Sequence, residues 1–132
     1  MSQSFSFIKL FVADHRKMSD FYCKVLGMQV QSFVVDGEGE DEHEESILGF
    51  GDDVGSEMGA DMIIVQEYHR PAPAPGEVTT VFWVDDANAV AKAAVENGGS
   101  IAIPISDDHR FDTRTGYIKD PEGHRFQIMQ RL

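Results

Sequence analysis

The sequence predicts an α+β fold built from a repeated βαβββ unit. Three observations support this prediction. Eight segments rich in β-branched and aromatic residues indicate strands, and two amphipathic stripes indicate helices. Identical residues also recur 72 positions apart at corresponding points of the two halves, with Val12 matching Val84, Asp14 matching Asp86 and Gly27 matching Gly99. These three pairs fall at a strand end, a helix cap and a helix stop, which is typical of an internal repeat.

The first half opens with a strand over Phe5 to Val12, both faces of which are mostly apolar. A strand of this kind is covered on both sides, for instance by a helix on one side and by a cavity or a partner on the other. Asp14 is suited to cap the following helix, and Gly27 is suited to end it. The helix carries its apolar residues at i, i+3, i+4, i+7 and i+8, namely Met18, Phe21, Tyr22, Val25 and Leu26.

A second strand is predicted over 29–35, followed by the acidic run DGEGEDEHEE at 36–45, in which seven of ten residues are Asp or Glu. Such a run can attract a cation or a basic partner, but self-repulsion favours a solvated, mobile loop. Two more strands are predicted over 46–50 and 61–68, joined by a loop rich in Gly and Asp. The sequence RPAPAPGE at 70–77 predicts a stiff extended connector, because proline cannot donate to a strand ladder.

The second half repeats this order. A strand over 78–85 precedes Asp86 as a helix cap, and an apolar stripe from Ala87 to Val95 ends at Gly98-Gly99. Three strands follow at 100–104, 115–119 and 124–130. The predicted organisation is a single domain over 1–132, made of a module at 1–69, the connector at 70–77 and a module at 78–132.

Composition narrows the function classes. A chain of 132 residues with a net charge of -12 has its 11 basic residues dispersed, which argues against binding nucleic acid and anionic membranes. No apolar run reaches the roughly 20 residues of a membrane span, and the N-terminus shows no secretory leader, so a cytoplasmic location is expected. The one cysteine, Cys23, excludes an intramolecular disulfide and is expected to be a structural thiol in the first helix.

Near the C-terminus, Asp120-Pro121-Glu122-Gly123 has the composition of a tight turn that leads into a strand. Together with FIKLFVAD at 7–14, MSDFYCKVLGM at 18–28, VFWVDDANAV at 81–90 and GYIKDPEGHRFQIM at 116–129, this turn makes the chain resemble the vicinal oxygen chelate superfamily of glyoxalase I, bleomycin resistance proteins and extradiol dioxygenases. The resemblance implies two βαβββ modules whose mixed sheet curls around a cavity, commonly completed by a second subunit.

Metal-dependent members of that superfamily hold a divalent ion on the inner faces of equivalent strands. The resemblance assigns the four ligand positions to Phe7, to or beside Ile64, to Thr79 and to Gln127. One hydroxyl and one amide do not meet the need of a catalytic divalent ion for several imidazole or carboxylate donors. Residues two steps away on the assigned faces include no imidazole or carboxylate either, so neither a metal nor another cofactor is expected.

With alternate residues pointing inward, the cavity wall is apolar, rich in aromatic residues and poor in polar groups. This favours a small organic ligand, aromatic or anionic, stacked on Trp83 or a Phe and oriented by Lys9, Arg125 and Gln127. The same residues can also close on each other or on a second subunit as core. The predicted ligand-binding residues are Phe7, Lys9, Phe11, Ile64, Thr79, Trp83, Arg125, Gln127 and Met129, in a homodimer.

Two other functions remain open from the sequence. One is a metal-dependent lyase, epimerase or dioxygenase-like enzyme with a displaced site around His109, Asp112 and Gln127, supplied by the charged stretch DDHRFDTR at 107–114. The other is a purely interacting subunit whose cavity is filled by side chains.

Overall fold

The computed structural model describes residues 3–51 and 60–132, which form two four-stranded mixed sheets, each with one helix. The predicted α+β fold is confirmed. The chain divides into two compact units, unit 1 comprising Met1–Cys23 and Gly27–Pro73 and unit 2 comprising Lys24–Leu26 and Ala74–Leu132. The elements are β1 (Ile8–Phe11), α1 (His15–Leu26), β2 (Gln29–Asp36), β3 (His43–Gly49), β4 (Met62–Glu67), β5 (Thr80–Trp83), α2 (Ala87–Glu96), β6 (Ser100–Asp108), β7 (Thr113–Lys119) and β8 (Arg125–Arg131).

The two sheets have the same topology. The strand order is β1-β4-β3-β2 in unit 1 and β5-β8-β7-β6 in unit 2. In each sheet the first strand pairs in parallel with the last, and the other neighbours are antiparallel. The repeat seen in the sequence is therefore a repeat of topology.

Both helices begin as predicted. Asp14 and Asp86 have nearly the same extended backbone, with φ -139° and -143°, and each side chain accepts from the backbone N–H three residues on. The helix stops differ from the sequence match, because the residue with positive φ after α2 is Gly98 (φ 92°) rather than Gly99. Gly27 (φ 73°) ends α1 as expected.

Each helix covers one face of its own sheet. In unit 1 the register places Leu10, Ile64 and Ser46 in one row across three strands. The Ser46 hydroxyl lies 2.7 Å from Nδ1 of His15 in α1, so this row faces the helix. The predicted apolar stripe forms the buried face of α1, and its residues Met18, Phe21, Tyr22 and Val25 are all buried.

In unit 2 the corresponding row lies under α2. Gln130 of β8 accepts a hydrogen bond from the N–H of Ala87, the first residue of α2, which identifies the helix side of the sheet. Phe126, Ile128 and Ile118 point the same way and are at most 1 % exposed. The tight turn before β8 is also present, because the Gly123 N–H donates to the Asp120 carbonyl at 2.9 Å.

Several strand boundaries differ from those predicted. The strand β1 begins at Ile8, and Phe5 is 84 % exposed outside it. The strand β6 continues through Pro104 to Asp108. Its pairing with β7 shifts register between Ile101 and Ile103 and between Ile103 and Ser106, and the second irregularity accommodates Pro104, which cannot donate a ladder hydrogen bond. The connector 70–77 has no helix or strand, as predicted, and its residues are exposed. The Gly- and Asp-rich loop predicted between β3 and β4 lies mostly outside the described residues.

The prediction of one solvated loop over 36–45 is wrong at both ends of the run, which belong to strands, whereas residues 36–41 are exposed as expected. Asp36 ends β2, His43 to Glu45 begin β3, and a single 3-10 turn at Gly39–Asp41 joins the two strands. The ladder brings Asp36 opposite His43. Charge repulsion in this run is therefore overcome by hairpin pairing. No helix among the described residues is long and apolar enough to cross a membrane.

Candidate functional site

The candidate site lies on the face of the second sheet that points away from α2, which we call the far face of unit 2. Because paired residues point to the same side of a sheet, the register puts Val81 beside Gln127 and Trp83 beside Met129 on this face. Tyr117 of β7 lies on the other side of Gln127. Val81 and Trp83 are each 53 % exposed. The far face therefore presents an apolar, aromatic strip around one amide.

A chain of two hydrogen bonds fixes the Gln127 amide. The Thr115 hydroxyl donates to the backbone carbonyl of Ile128 at 2.8 Å, and the Gln127 side-chain nitrogen donates to Thr115 Oγ1 at 2.9 Å. Since the Thr115 proton is committed to a carbonyl, Thr115 can only accept from Gln127. The amide nitrogen thus faces Thr115, and the amide oxygen is directed elsewhere as an available acceptor.

Cationic side chains flank the strip at both ends. The Arg125 guanidinium lies 4.6 Å from the centroid of the Tyr117 ring, and Arg131 lies 3.8 Å from that of Trp83. Lys119 is directly opposite Arg125 on the same face. Within 3–51 and 60–132, neither Lys119 nor Arg125 has an ion pair with an acidic side chain. Like charges directly opposed on a sheet repel, so this end of the face is an anion-attracting position.

A small cavity adjoins the other end of the strip. Its volume is about 240 Å³, below the roughly 300 Å³ at which sites for drug-sized ligands begin. Arg131 already covers part of the Trp83 ring there. A ligand stacking on Trp83 would compete with this contact. The cavity is lined by Trp83, Val84, Asp85, Gln130 and Arg131.

Four of the predicted ligand-binding residues belong to unit 1, and one of them is misassigned. Lys9 and Phe11 lie on the face of β1 that points away from α1, and both are exposed. Phe7 packs against the buried cluster of Ile47, Ala60, Ile63 and Val65. Ile64 is 0 % exposed in the row under α1, so its predicted inward position is wrong. The face opposite the helix carries Ile63 and Val65, one step away, and Met62 and Gln66 likewise belong to the helix side.

In unit 2 the predicted residues are brought together more closely. Trp83, Gln127, Met129 and Arg125 share the far face, while Thr79 is exposed one residue before β5 begins. Tyr117, Thr115 and Lys119 join them through the register of β7 with β8 and were missed by the sequence reasoning. The sequence analysis identified the turn at 120–123 but did not extend the strand pairing across it, and this pairing places the three residues beside β8.

A glutamine at the start of each helix was also missed. Gln66 accepts from the N–H of His15 at 3.1 Å, and Gln130 accepts from that of Ala87 at 2.9 Å, so both satisfy a first-turn donor. The sequence does carry a signal for this pair. Ile64-Val65-Gln66 and Ile128-Met129-Gln130 match as I-x-Q at an offset of 64, and that offset also pairs Ile63, not Ile64, with Gln127.

A family model for the Glyoxalase/Bleomycin resistance protein/Dioxygenase superfamily matches residues 4–128. The chain belongs to this superfamily. No curated protein matches the sequence significantly. The resemblance drawn from the DPEG turn and the two strand–helix segments is confirmed.

Solved structures with the same fold include glyoxalase family members. A glyoxalase family protein from Bacillus cereus has a TM-score of 0.77 at 15% identity, with 100% of this chain and 96% of that one covered. A glyoxalase I mutant from Zea mays has a TM-score of 0.71 at 21% identity, with 95% of this chain covered. This chain spans 45% of the length of the maize protein. A glyoxalase/bleomycin resistance protein from Albidiferax ferrireducens has a TM-score of 0.62 at 18% identity, with 97% of this chain and 98% of that one covered.

With Ile63 in place of Ile64, the four positions that the superfamily resemblance assigns to metal ligands are Phe7, Ile63, Thr79 and Gln127. This donor set does not fit a catalytic divalent ion, since it offers one hydroxyl and one amide. Two steps from Ile63 the register does supply one carboxylate, Asp61, but its Oδ2 accepts from the Phe50 N–H at 3.0 Å.

The alternative site around His109 is not assembled. Asp107 is paired with Arg114 at 2.8 Å and Asp108 with Arg110 at 2.9 Å, and these hydrogen bonds hold the pKa of both carboxyls below the ordinary range. His109 and Asp112 lie in the exposed turn between β6 and β7. Gln127 is paired with Tyr117, which lies four residues along β7 from Thr113, or about 13 Å at the rise of a strand.

Cys23 offers no nucleophile. Burial, with the Asp20 charge as a second cause, raises the pKa of its thiol. The neutral thiol therefore predominates near pH 7, in agreement with the structural role expected from the sequence.

Proposed function

We propose that this superfamily member binds a small organic anion with an aromatic or apolar body on the far face of unit 2, without a metal at the four usual positions. The observation that carries the proposal is the opposed pair of Lys119 and Arg125 beside Tyr117. In a chain of net charge -12, two like charges next to an aromatic strip favour an anionic ligand group between them.

The ligand class follows from the groups on this face. A carboxylate can accept charge-assisted hydrogen bonds from Arg125 and Lys119. An aromatic or aliphatic body can cover Val81, Tyr117 and Met129, which stabilises the complex through buried apolar area. A hydroxyl on the ligand can donate to the Gln127 oxygen that Thr115 leaves available. The proposal includes Phe7, Lys9, Phe11 and Thr79 only as wall residues of the cavity that the superfamily resemblance implies.

The resemblance further supports a homodimer and a cytoplasmic protein as parts of the proposal. Native mass spectrometry of the purified chain measures the dimer directly. A monomer at all concentrations would contradict that part and leave the ligand proposal to its own test.

The ligand is tested with three matched probes. Phenylacetate carries the anion, phenylacetamide is its neutral analogue, and mandelate adds one hydroxyl to phenylacetate. Trp83 is the one tryptophan of the sequence, so its fluorescence reports on this face, and calorimetry gives the affinity. We expect phenylacetate to bind and phenylacetamide to bind at least about tenfold more weakly, as loss of a charged hydrogen bond implies.

Variants assign the binding to the proposed residues. Arg125→Gln is expected to weaken phenylacetate by about tenfold or more, and Gln127→Leu is expected to remove the advantage of mandelate over phenylacetate. The control is Lys92→Gln, which removes the same charge from an exposed position on α2. Equal losses in Arg125→Gln and Lys92→Gln, or no binding of any probe, would contradict the proposal.

A further inference from the structure

The hairpin of β2 and β3 brings three metal-ligating side chains to one face of the first sheet. Asp36 is paired with His43, and Glu45 lies two residues further along β3, so all three side chains point to the side opposite α1. One ligand atom from each lies within 4.8 Å of the others. Among residues 3–51 and 60–132, this is the one group of three or more His, Cys, Asp and Glu side chains with that geometry.

Glu45 is an unusual member of this group because it is buried. It is 3 % exposed, and its Oε2 has no hydrogen-bond partner within the part of the chain that the structure describes. A buried carboxylate without hydrogen bonds is costly unless a cation compensates its charge. The His43 Nε2 lies 3.7 Å from this oxygen, so a cation between these two atoms would contact both.

The ring of His43 cannot supply that compensation as a neutral donor. Its Nδ1 lies 2.7 Å from the backbone carbonyl of Asp41, and a carbonyl only accepts, so Nδ1 carries the proton. In the neutral ring Nε2 is then a bare lone pair that faces the Glu45 carboxylate. Two acceptors in this arrangement repel each other unless a proton on Nε2 or a metal ion lies between them. The separation of 3.7 Å is longer than a hydrogen bond, so the gap suits a metal ion better than a shared proton.

The same hydrogen bond is typical of a metal-binding histidine. A ligating imidazole usually donates its other N–H to a carbonyl or a carboxylate, which fixes the ring and raises the basicity of the ligating nitrogen. Gly37 permits this arrangement, since a Cβ there would collide with the Asp41 carbonyl and lie 3.2 Å from His43 Nδ1. Asp36 is fixed through one oxygen by the Gly37 N–H at 2.8 Å.

The distances suit a small divalent ion. Two ligand atoms of tetrahedral zinc, each about 2.0–2.1 Å from the metal, are separated by about 3.4 Å. The 3.7 Å between His43 Nε2 and Glu45 Oε2 needs only a small side-chain adjustment to reach that value. Two carboxylates and a neutral imidazole also balance the charge of the ion, and the exposure of Asp36 leaves room for water as a further ligand.

We propose that Asp36, His43 and Glu45 bind a divalent first-row transition metal ion such as zinc. The donors are one imidazole and two carboxylates, which suit this class of ion. The site lies on the β2–β3 hairpin, whereas the four positions assigned by the superfamily resemblance lie on or next to β1, β4, β5 and β8. The inference is therefore independent of the ligand site proposed on unit 2.

The test uses the full chain, stripped with a chelator and titrated with zinc chloride in a calorimeter. We expect one equivalent to bind with a rise in melting temperature, because an ion that binds the folded state stabilises it. With cobalt in place of zinc, we expect visible absorption bands that are lost in His43→Gln. A wild-type protein that binds no zinc and no cobalt would overturn the proposal.

Variants separate a built site from diffuse attraction to an acidic surface. Glu45→Gln and His43→Gln are each expected to weaken zinc binding by at least about tenfold, the lower end of the cost of losing even an outer-shell partner. The control Glu40→Gln removes the same charge from the exposed hairpin turn and is expected to leave the affinity unchanged. Equal affinity in Glu45→Gln and Glu40→Gln would overturn the proposal.

A third variant, at an exposed ligand, tests the site in case the variants at buried residues do not fold. Asp36→Asn alters an exposed ligand at the end of the hairpin, and circular dichroism checks that it folds. A folded Asp36→Asn protein is expected to bind zinc more weakly than the Glu40→Gln control. Unchanged affinity there, with Glu45→Gln unable to fold, would count against the three-residue site.

Discussion

The two units share a frame but differ in what lies beneath the start of each helix. In unit 1 the first helical residue is His15, buried and hydrogen-bonded to Ser46 of β3. In unit 2 the same place holds Ala87 at 0 % exposure, and the residue corresponding to Ser46 is Gly116 of β7, opposite Ile128. A polar pair in one unit is thus replaced by the two smallest side chains in the other.

The difference shows how the repeat tolerates change. In unit 1 the side chains of His15 and Ser46 are satisfied by their mutual hydrogen bond. In unit 2 the Ile105 side chain of β6 occupies the space next to Gly116. A Cβ on Gly116 would lie 2.9 Å from the Ile103 carbonyl oxygen and would also meet the Ile105 side chain. The strand order, the aspartate caps and the glutamine acceptors are the same in both units, so these features define the frame.

The faces away from the helices differ in a second way. Ile47, Ile63 and Val65 make that face of unit 1 a buried apolar cluster over part of its area. In unit 2 the corresponding face keeps Val81 and Trp83 half exposed beside Gln127. The same frame therefore carries a packed face in unit 1 and a half-exposed apolar face in unit 2.

The largest expected effect tests whether the frame is equally important in both units. Ile64→Ala and Ile128→Ala remove equivalent side chains that are 0 % exposed under α1 and α2. Each is expected to lower the free energy of unfolding by about 2–5 kcal/mol, measured by urea denaturation, because it leaves a cavity. Val81→Ala, on the exposed strip, is the control. If Ile64→Ala were as mild as Val81→Ala, the burial of Ile64 under α1 would be contradicted.

An intermediate effect tests the paired glutamines. Gln66→Leu and Gln130→Leu each leave the first N–H of a helix without its acceptor. We expect each to lower the free energy of unfolding by about 1–3 kcal/mol. Gln130→Glu keeps an acceptor oxygen next to the helix N-terminus and is expected to stay close to wild type. A loss in only one of the two leucine variants would break the equivalence of the units.

The smallest effect concerns an ion pair of the second unit. The hydrogen bond from Arg114 lowers the pKa of Asp107 in the folded state. The pair therefore stabilises the folded protein at pH values above the ordinary aspartate pKa of about 3.9. This stabilisation is lost as the pH falls through the pKa of Asp107 in the folded protein. Asp107→Asn is expected to lower the urea midpoint slightly at pH 6, less than either leucine variant, because the pair is exposed.

The pH dependence provides the check on that last variant. The difference in urea midpoint between wild type and Asp107→Asn is expected to shrink between pH 6 and pH 3. Glu96→Gln, in the exposed helical pair with Lys92, is the control and is expected to change the midpoint little. A difference that grows on acidification would contradict the lowered pKa.

Much of the frame could be predicted because it depends on local chemistry. Aspartate caps, a glycine stop and the DPEG turn act within a few residues, and all of them are present. The site was predicted less completely. Arg125, Gln127, Met129 and Trp83 followed from alternation along β8 and β5, but Tyr117, Thr115 and Lys119 depend on which strand lies beside β8.

Alternation alone also failed at Ile64, because an apolar run such as Met62 to Val65 is buried on both faces and carries no marker of which side faces the helix. The acidic run failed for a related reason. Its charges predict repulsion, whereas pairing across the hairpin placed Glu45 in a buried position.

The sequence by itself determined the repeated βαβββ order, the aspartate helix caps and the superfamily, and it places no imidazole or carboxylate at Phe7, Thr79 or Gln127. Only the tertiary structure decided that Ile64 faces α1, that Lys119 lies against Arg125, and that Asp36, His43 and Glu45 converge. The physical reason is that caps, turns and periodicity are local properties of the chain. Register between strands fixes which distant side chains share a face, and a shift of one residue reverses that face.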